Sequence, residues 1–473
     1  MRLFKSFFSN GNNIAITDGE TLNLSYRDLI VQSNSIKKQI KHKSLILIIS
    51  ENDIGSLIAY VFCIINNHVA IIVDSKTKKK EIYNILTNYN PNYIFTSKKN
   101  RSIFQNRCVE KYTFFNEILL KNKNFKKKNL NKDLSLLLST SGSIGAVKFV
   151  KLSKSNLKYN TDSIIKYLKI KKNDCSITNL PISYSYMLSV INTHFEKGGS
   201  IVICNNSLIE KKFWEVFKKN KITSFNGVPY TYEILRKIGL KNIKNKSMKY
   251  LTQAGGKLEK DKLREIIKFC DNNNLKFYSM YGQTEASPRI SYLRPELIKK
   301  KAGSIGKAIP GNLIYLINEY GKKILKPFEP GEIVCEGKNI FMGYSENCED
   351  LKFKDKNKFK LLTGDLGYFD NDGFFYLTGR KSRIAKIFGN RVDLDTLESL
   401  MVQKGYKIAC ISDDKKIFVY VENKYNKERL INTISKITSF NIRSFELIKL
   451  KYFPRTSNKK ISYNELKKIN VRL

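Results

Sequence analysis

Residues 139–148 read STSGSIGAVK and follow directly on the apolar run LSLLL. Two glycines, four hydroxyl residues and a lysine at a strand-to-loop turn suit the cradling of phosphate oxygens by backbone N–H groups and hydroxyls. The segment is not a Walker A loop, since no GK[ST] follows and Gly142 and Gly145 stand too close together. A flexible turn is the plain alternative. Three more clusters carry groups able to handle charge: YGQTE at 281–285, after the strand-like KFYSM; TGD at 363–365 with TGR at 378–380; and PRTSNKKI at 454–461. Each also has an ordinary reading, as a capped helix start, a Gly-Asp turn, a surface arginine or one lysine among many.

Other chemistries have little material. Only three histidines occur (His42, His68, His194), too few for a histidine-built zinc site or a comfortable Ser-His-Asp triad. The eight cysteines are scattered without CxxC spacing, as free thiols in a reducing compartment would be. The most apolar stretch, 56–73, is broken by Asn66, Asn67 and His68 and falls short of the ~20 residues a membrane span needs. It reads as helix, turn and buried strand. The start, MRLFKSFFSNGNN, lacks a signal-peptide core, and the expected location is cytoplasmic.

The chain has 473 residues, with 42% hydrophobic and 27% charged, so two or more globular units are expected. Lys+Arg 85 against Asp+Glu 42 gives a net charge of +43. Such a balance would suit nucleic acid, anionic membranes or acidic substrates. The excess is almost all lysine spread evenly, which reads as solvated surface; no specific nucleic-acid partner is expected.

The elements that must position these clusters alternate. Strand-like runs at 44–50, 68–74, 93–97, 134–140, 200–204 and 249–255 are interleaved with helical patterns near 25–40, 53–65, 77–88, 153–168, 208–219 and 257–272. This predicts an α/β protein whose sheets are mostly parallel with flanking helices. After about residue 300, Gly, Pro and Asp-Gly turns between short strands predict an antiparallel subdomain. The last ninety or so residues predict a small α+β unit. The segment 121–133 reads as an exposed loop. The domains are expected at 1–381 and 382–473.

Taken together, in this order and at these distances, the four clusters resemble the superfamily of AMP-forming adenylating enzymes: acyl-CoA synthetases, adenylation domains of peptide synthetases, and luciferases. NLSYRDL (23–29), NGVPYTYEIL (226–235), the AGG at 254–256 and GEIVCEGKNIFMGY (331–344) fit the same pattern. The resemblance implies ATP-dependent activation of a carboxylic acid to an acyl-adenylate, with release of pyrophosphate. The acyl group then passes to a thiol, either CoA or the phosphopantetheine of a carrier protein. By position it implies that Thr140, Ser141, Gly142, Ser143, Gly145 and Lys148 cover the β- and γ-phosphates. Tyr281, with Gly282, Gly255 and Gly256 around it, would lie against adenine; Thr284 would bond the α-phosphate and Glu285 would hold Mg²⁺. Asp365 would accept both ribose hydroxyls, Arg380 would donate to the same sugar, and Lys460 would reach the carboxylate and α-phosphate. The small C-terminal domain would swing on a hinge at Ser382, bringing Gly389 to the pantetheine arm.

The chain departs from that pattern at Ile144, Val147, Ser382 and Lys459, and Met187 stands where a glycine is frequent. Tyr184, Tyr186, Phe225, Val228, Tyr230 and Arg289 are the expected acyl-pocket lining. Arg289 could meet a second anionic group of the substrate or an internal ion-pair partner. The competing expectations are transfer of the acyl group to an amine, or a degenerate fold that binds nucleotide or polyanion without turnover.

Overall fold

The computed structural model describes the whole chain except residues 1–2, 5–6, 8, 127, 140–147, 356, 358, 388–389, 414–415, 423–424, 439, 457–459 and 471–473. Two compact units divide it. One comprises 1–140, 145–314 and 335–361; the other comprises 141–144, 315–334 and 362–473.

The first unit is α/β, as expected. One of its sheets has at its centre the parallel strands Leu134–Ser139, Val69–Asp74, Leu45–Ser50 and Tyr93–Ser97, with antiparallel strands at both edges. LILIIS is buried at every position, because helices cover both faces of a parallel strand. The second sheet runs Ile14–Thr17, Ser200–Val202, Cys175–Ile177, Ser224–Gly227, Tyr250–Gln253 and Lys276–Gly282 in parallel. Arg289–Leu293 and Ser304–Ala308 then add antiparallel strands. The apolar stretch forms helix Ile54–Ile65, capped by Asp53 accepting from Ser56 N, a turn, and strand Val69–Asp74. Eleven of its twelve helical residues are buried, as befits a helix apolar all round. Among the described residues no helix is long and apolar enough to cross a membrane.

Among the strands not marked in the sequence are Cys108–Phe114, whose exposed positions carry Val, Glu, Lys and Thr, and Glu117–Asn122, which opens on a buried glutamate. The second takes in the first two residues of the expected 121–133 loop. All eight cysteines are free and seven are buried. His68 accepts from Ser44 N, and burial, aided by Lys43 and Lys37, pushes its pKa down to about 4. That is a structural role.

In the second unit, Lys360–Phe369 pairs antiparallel with Phe375–Arg380. The C-terminal part packs helices Leu394–Gln403 and Lys427–Thr438 against strands Ile408–Ser412, Ile417–Val421 and Phe445–Lys449. Its polar centre is Arg383, which meets Asp395 at 2.8 Å, Glu398 and the carbonyl of Cys410, and lies 3.7 Å over the Tyr463 ring. Tyr463 donates to the other oxygen of Glu398 at 2.6 Å. Burial raises the pKa of Glu398, and Arg383 is the chief opposing influence. Replacing Arg383 by Met should therefore leave a buried carboxylate without its counter-ion and destabilise this part by about 3–5 kcal/mol. In urea unfolding at neutral pH, the deficit should shrink as pH falls, because an unpaired Glu398 can take up a proton and its raised folded pKa favours the acid side.

Candidate active site

Strand Lys276–Gly282 ends at Gln283; Thr284–Ala286 makes one turn of 3-10 helix, and Arg289–Leu293 returns antiparallel. Gly282 is required there, because a Cβ would stand 1.8 Å from Pro288 O. Asn160 Nδ2 donates to Ala286 O (3.2 Å) and Arg289 O (3.1 Å), and Asn339 Nδ2 donates to the same two carbonyls at 2.7 and 2.9 Å. The turn is thereby fixed from helix Lys154–Leu168 on one side and from the 335–344 segment on the other.

Glu285 is 7% exposed and accepts a 2.8 Å hydrogen bond from the Tyr344 hydroxyl. Burial and the Glu285 charge raise the pKa of Tyr344, keeping it a donor. Lys148 lies 4.1 Å over the Tyr344 ring and 3.7 Å from Glu346. Thr284 Oγ1 is 3.2 Å from Ser185 Oγ at the start of helix Ser185–Lys197. The first unit thus brings Lys148, Tyr344, Glu285, Thr284 and Ser185 into one connected cluster.

The expected acyl lining borders this cluster. Gly255, at φ +83°, accommodates the Tyr184 hydroxyl, which would lie 2.5 Å from a Cβ there. Gln253 Nε2 donates to Gly256 O at 2.6 Å. Tyr186 bonds Thr252 Oγ1 at 2.6 Å, and the Arg289 guanidinium lies 4.1 Å from the Tyr186 ring centre. Tyr186, Met187, Phe225 and Val228 are all buried, as is Tyr281; Tyr184 and Tyr230 are half-buried. An open cavity of about 480 Å³ lies elsewhere, beside Asp18, Asp53 and Cys204, and none of the candidate residues lines it.

The second unit carries the remaining groups. Antiparallel register sets Asp365 directly opposite Arg380, and Nε of Arg380 meets Oδ1 of Asp365 at 2.8 Å. Asp365 is 4% exposed, and its backbone N–H donates to Thr363 Oγ1, which in turn donates to Ile333 O. Lys460 sits in a closed loop: Thr456 N donates to Lys460 O at 2.8 Å, and Arg455 bridges Ile461. Desolvation pushes the Lys460 ammonium down to about 8, with Arg380 acting in the same sense and Asp365 opposing. The residue as a whole is exposed, and its head group feels the charges of both Asp365 and Arg380. Ser382 stands between Lys381, paired with Glu332 at 2.9 Å, and the buried Arg383.

Thr140, Ser141, Gly142, Ser143, Ile144, Gly145, Val147, Gly389 and Lys459 lie outside the described residues. Sequence reasoning gave no role to Tyr344, Ser185, Asn160 or Asn339. Tyr344 was within reach, as the last residue of the GEIVCEGKNIFMGY block; the asparagines carried no signal, because their value lies in carbonyls distant in sequence. The cluster offers a metal one carboxylate and hydroxyls, and among the described residues no three acidic, His or Cys groups could hold an ion alone. A hard cation that takes oxygen ligands and completes its shell with phosphate oxygens fits that donor set.

The profile described as AMP-binding enzyme matches residues 4–345. The chain belongs to the AMP-binding enzyme family. Among curated relatives of this AMP-binding enzyme, a probable 4-coumarate–CoA ligase 2 of Dictyostelium discoideum is 29% identical over 278 residues, covering 58% of this chain and 50% of that protein. The chain thus spans about half the length of that relative. A 2-succinylbenzoate–CoA ligase of Geobacillus sp. (strain WCH70) is 24% identical over 349 residues, 71% of this chain and 69% of the relative. Among solved structures, o-succinylbenzoate CoA synthetase (MenE) of Bacillus subtilis with its acyl-adenylate superposes with TM-score 0.75 at 20% identity, covering 96% of this chain and 95% of that one. ATP-bound MatB of Rhodopseudomonas palustris gives 0.79 at 18%, covering 99% and 98%. These likenesses establish the fold.

The lowered pKa sets Lys460, together with Lys43, apart from lysines of ordinary pKa. At pH 8 about half of it is the free amine, whereas a lysine near the usual 10.4 is under ~1% free. Acylation with a trace of anhydride at pH 8, read by peptide mass spectrometry, should label Lys460 tens of times faster than lysines of ordinary pKa. Arg380→Ala removes a repelling cation, raises the Lys460 pKa and should slow that labelling.

Proposed function

We propose that this AMP-binding enzyme activates a small carboxylic acid with ATP, releasing pyrophosphate, and then transfers the acyl group to a thiol. The observation that carries the reading is the cluster in which Tyr344 fixes the buried Glu285 carboxylate next to the Thr284 hydroxyl, with the Lys148 ammonium over the same tyrosine ring.

In the first step a carboxylate oxygen attacks the α-phosphorus, the bond to the bridging oxygen breaks, and pyrophosphate leaves with the electron pair. Thr284 donates its hydroxyl to an α-phosphate oxygen. Glu285, fixed by Tyr344, would hold Mg²⁺, which when bound would neutralise phosphate charge. Lys148 supplies a further positive charge to the polyphosphate. Asp365 accepts the ribose hydroxyls and Arg380 donates to the same sugar, while Lys460 neutralises charge on the reacting carboxylate and α-phosphate. Thr140, Ser141, Gly142, Ser143 and Gly145 belong to the phosphate loop, and Tyr281, Gly282, Gly255 and Gly256 to the adenine side.

In the second step the thiol sulfur attacks the acyl carbonyl and AMP departs; the thiol proton is lost to solvent. The curated relatives named above are CoA ligases, which supports CoA as the acceptor over a carrier protein. We place the domain boundary at 381/382, with Ser382 as hinge and Gly389 on the thiol side. The anchoring of Lys381 and Arg383 on either side supports that position.

Carboxylate-dependent ATP–pyrophosphate exchange tests the reading. Exchange should appear with one acid class and fall on the order of 10²–10³-fold in Lys460→Ala. Because the working form is the ammonium, the rate under subsaturating ATP should hold below pH 8 and decline above it, about tenfold per pH unit. Exchange unchanged in Lys460→Ala, or no exchange with any acid by folded protein, would refute it. Thioester formation with CoA but not with a phosphopantetheinylated carrier would fix the acceptor.

A further inference from the structure

Asp365 stands between two irregularities of its strand. Gly364, just before it, turns left-handed at φ +70°, and the register with Phe375–Arg380 shifts between Leu366 and Gly367, just after it. A ladder interrupted on both sides decides which residue faces Arg380 but holds the backbone at Asp365 weakly. Side chains take over that task. Thr363 Oγ1 accepts from Asp365 N and donates to Ile333 O, and Gly364 N donates to Oε1 of Glu332 at 3.2 Å.

Glu332, on strand Gly331–Glu336, is 7% exposed. Its second oxygen, Oε2, accepts from Lys381 Nζ at 2.9 Å, and Lys381 is the residue after Arg380. One carboxylate therefore binds a chain neighbour of each member of the Asp365–Arg380 pair: the residue before the aspartate and the residue after the arginine. A carboxylate taken out of water adds little net stability even when paired, and the Lys381 side chain stays 66% exposed, where an ion pair is weak. What the arrangement supplies is placement.

Resting on the function proposed above, we infer that Glu332 is the positioning residue of the ribose site: by fastening Gly364 and Lys381 it sets the Asp365 carboxylate and the Arg380 guanidinium where the sugar hydroxyls of ATP meet them. Asp365 and Arg380 touch the sugar, and Glu332 acts only through them. A nucleotide that lacks one hydroxyl probes that placement, because a hydrogen bond to a charged group has its full value only when donor and acceptor are held in line.

The test is isothermal titration calorimetry of the full chain with ATP and with 2′-deoxy-ATP, read as the ratio of the two Kd values. Wild type should bind ATP tighter by on the order of 10–100-fold, and Glu332→Ala should bring the two nucleotides within about threefold, chiefly by weakening ATP. Glu332→Gln, whose amide oxygen can still accept from Gly364 N while Lys381 is released, should fall between. A glutamate needed only for folding would lower the melting temperature or the bound fraction alike for both nucleotides and leave the ratio where it was. A wild-type ratio in Glu332→Ala overturns the inference. If that variant does not fold, Glu332→Gln decides: a ratio reduced by about threefold or more supports the inference, and an unchanged one overturns it. A wild type that binds the two nucleotides equally, or binds neither, removes instead the role of Asp365 on which the inference rests, and the inference with it.

Discussion

Four hydrogen bonds from two asparagines hold the turn on which this site is built. Asn160 and Asn339 reach Ala286 O and Arg289 O from opposite sides, and leaving such buried carbonyls unpaired would cost roughly 1–3 kcal/mol each. The same segment that brings Asn339 also brings Tyr344, so the grip on the backbone and the grip on the Glu285 carboxylate arrive together. Thr284, Glu285 and Arg289 are therefore placed by one rigid bend and need no contacts among themselves.

Around that bend the chain handles charge economically. It is strongly basic, yet most of its lysines stay in water, where they interact weakly and are screened. Several of the charges withdrawn from water are paired: Lys158 with Glu196 and Asp162, Asp365 with Arg380, Arg383 with Asp395 and Glu398. Arg289 and Glu117 stand apart from these pairs, and Lys43, like Lys460, is pushed toward its neutral form.

The sequence was legible where periodicity carried the signal. LILIIS, VAIIVD and the helices at 54–65 and 154–168 fall within a residue or two of where alternation and apolar runs put them. Cys108–Phe114, whose side chains face water at most positions, has no such pattern and escaped notice. The order of motifs pointed to the family, and it also named Asp365 and Arg380, which form an ion pair, and Lys460, whose charge both of them influence. It could not show that Tyr344 holds Glu285 or that, among the described residues, Arg289 has tyrosines and no ion-pair partner around it. Those facts depend on three-dimensional neighbours separated by 59 residues in one case and 103 in the other.

The Asp365–Arg380 pair has its geometry from strand register together with a bulge, since the two residues face each other across a hairpin whose tip is Asn371–Gly373 and whose register shifts between Leu366 and Gly367. That tip is exposed and makes no contact with either charge, so it looks like a segment free to vary in length. It is not. Side chains alternate sides along a strand, so an inserted residue that slips the pairing by one would turn the arginine to the opposite face. The residue count of the strands between tip and pair, the bulge at Leu366/Gly367 included, is thus under the same constraint as the charged residues themselves.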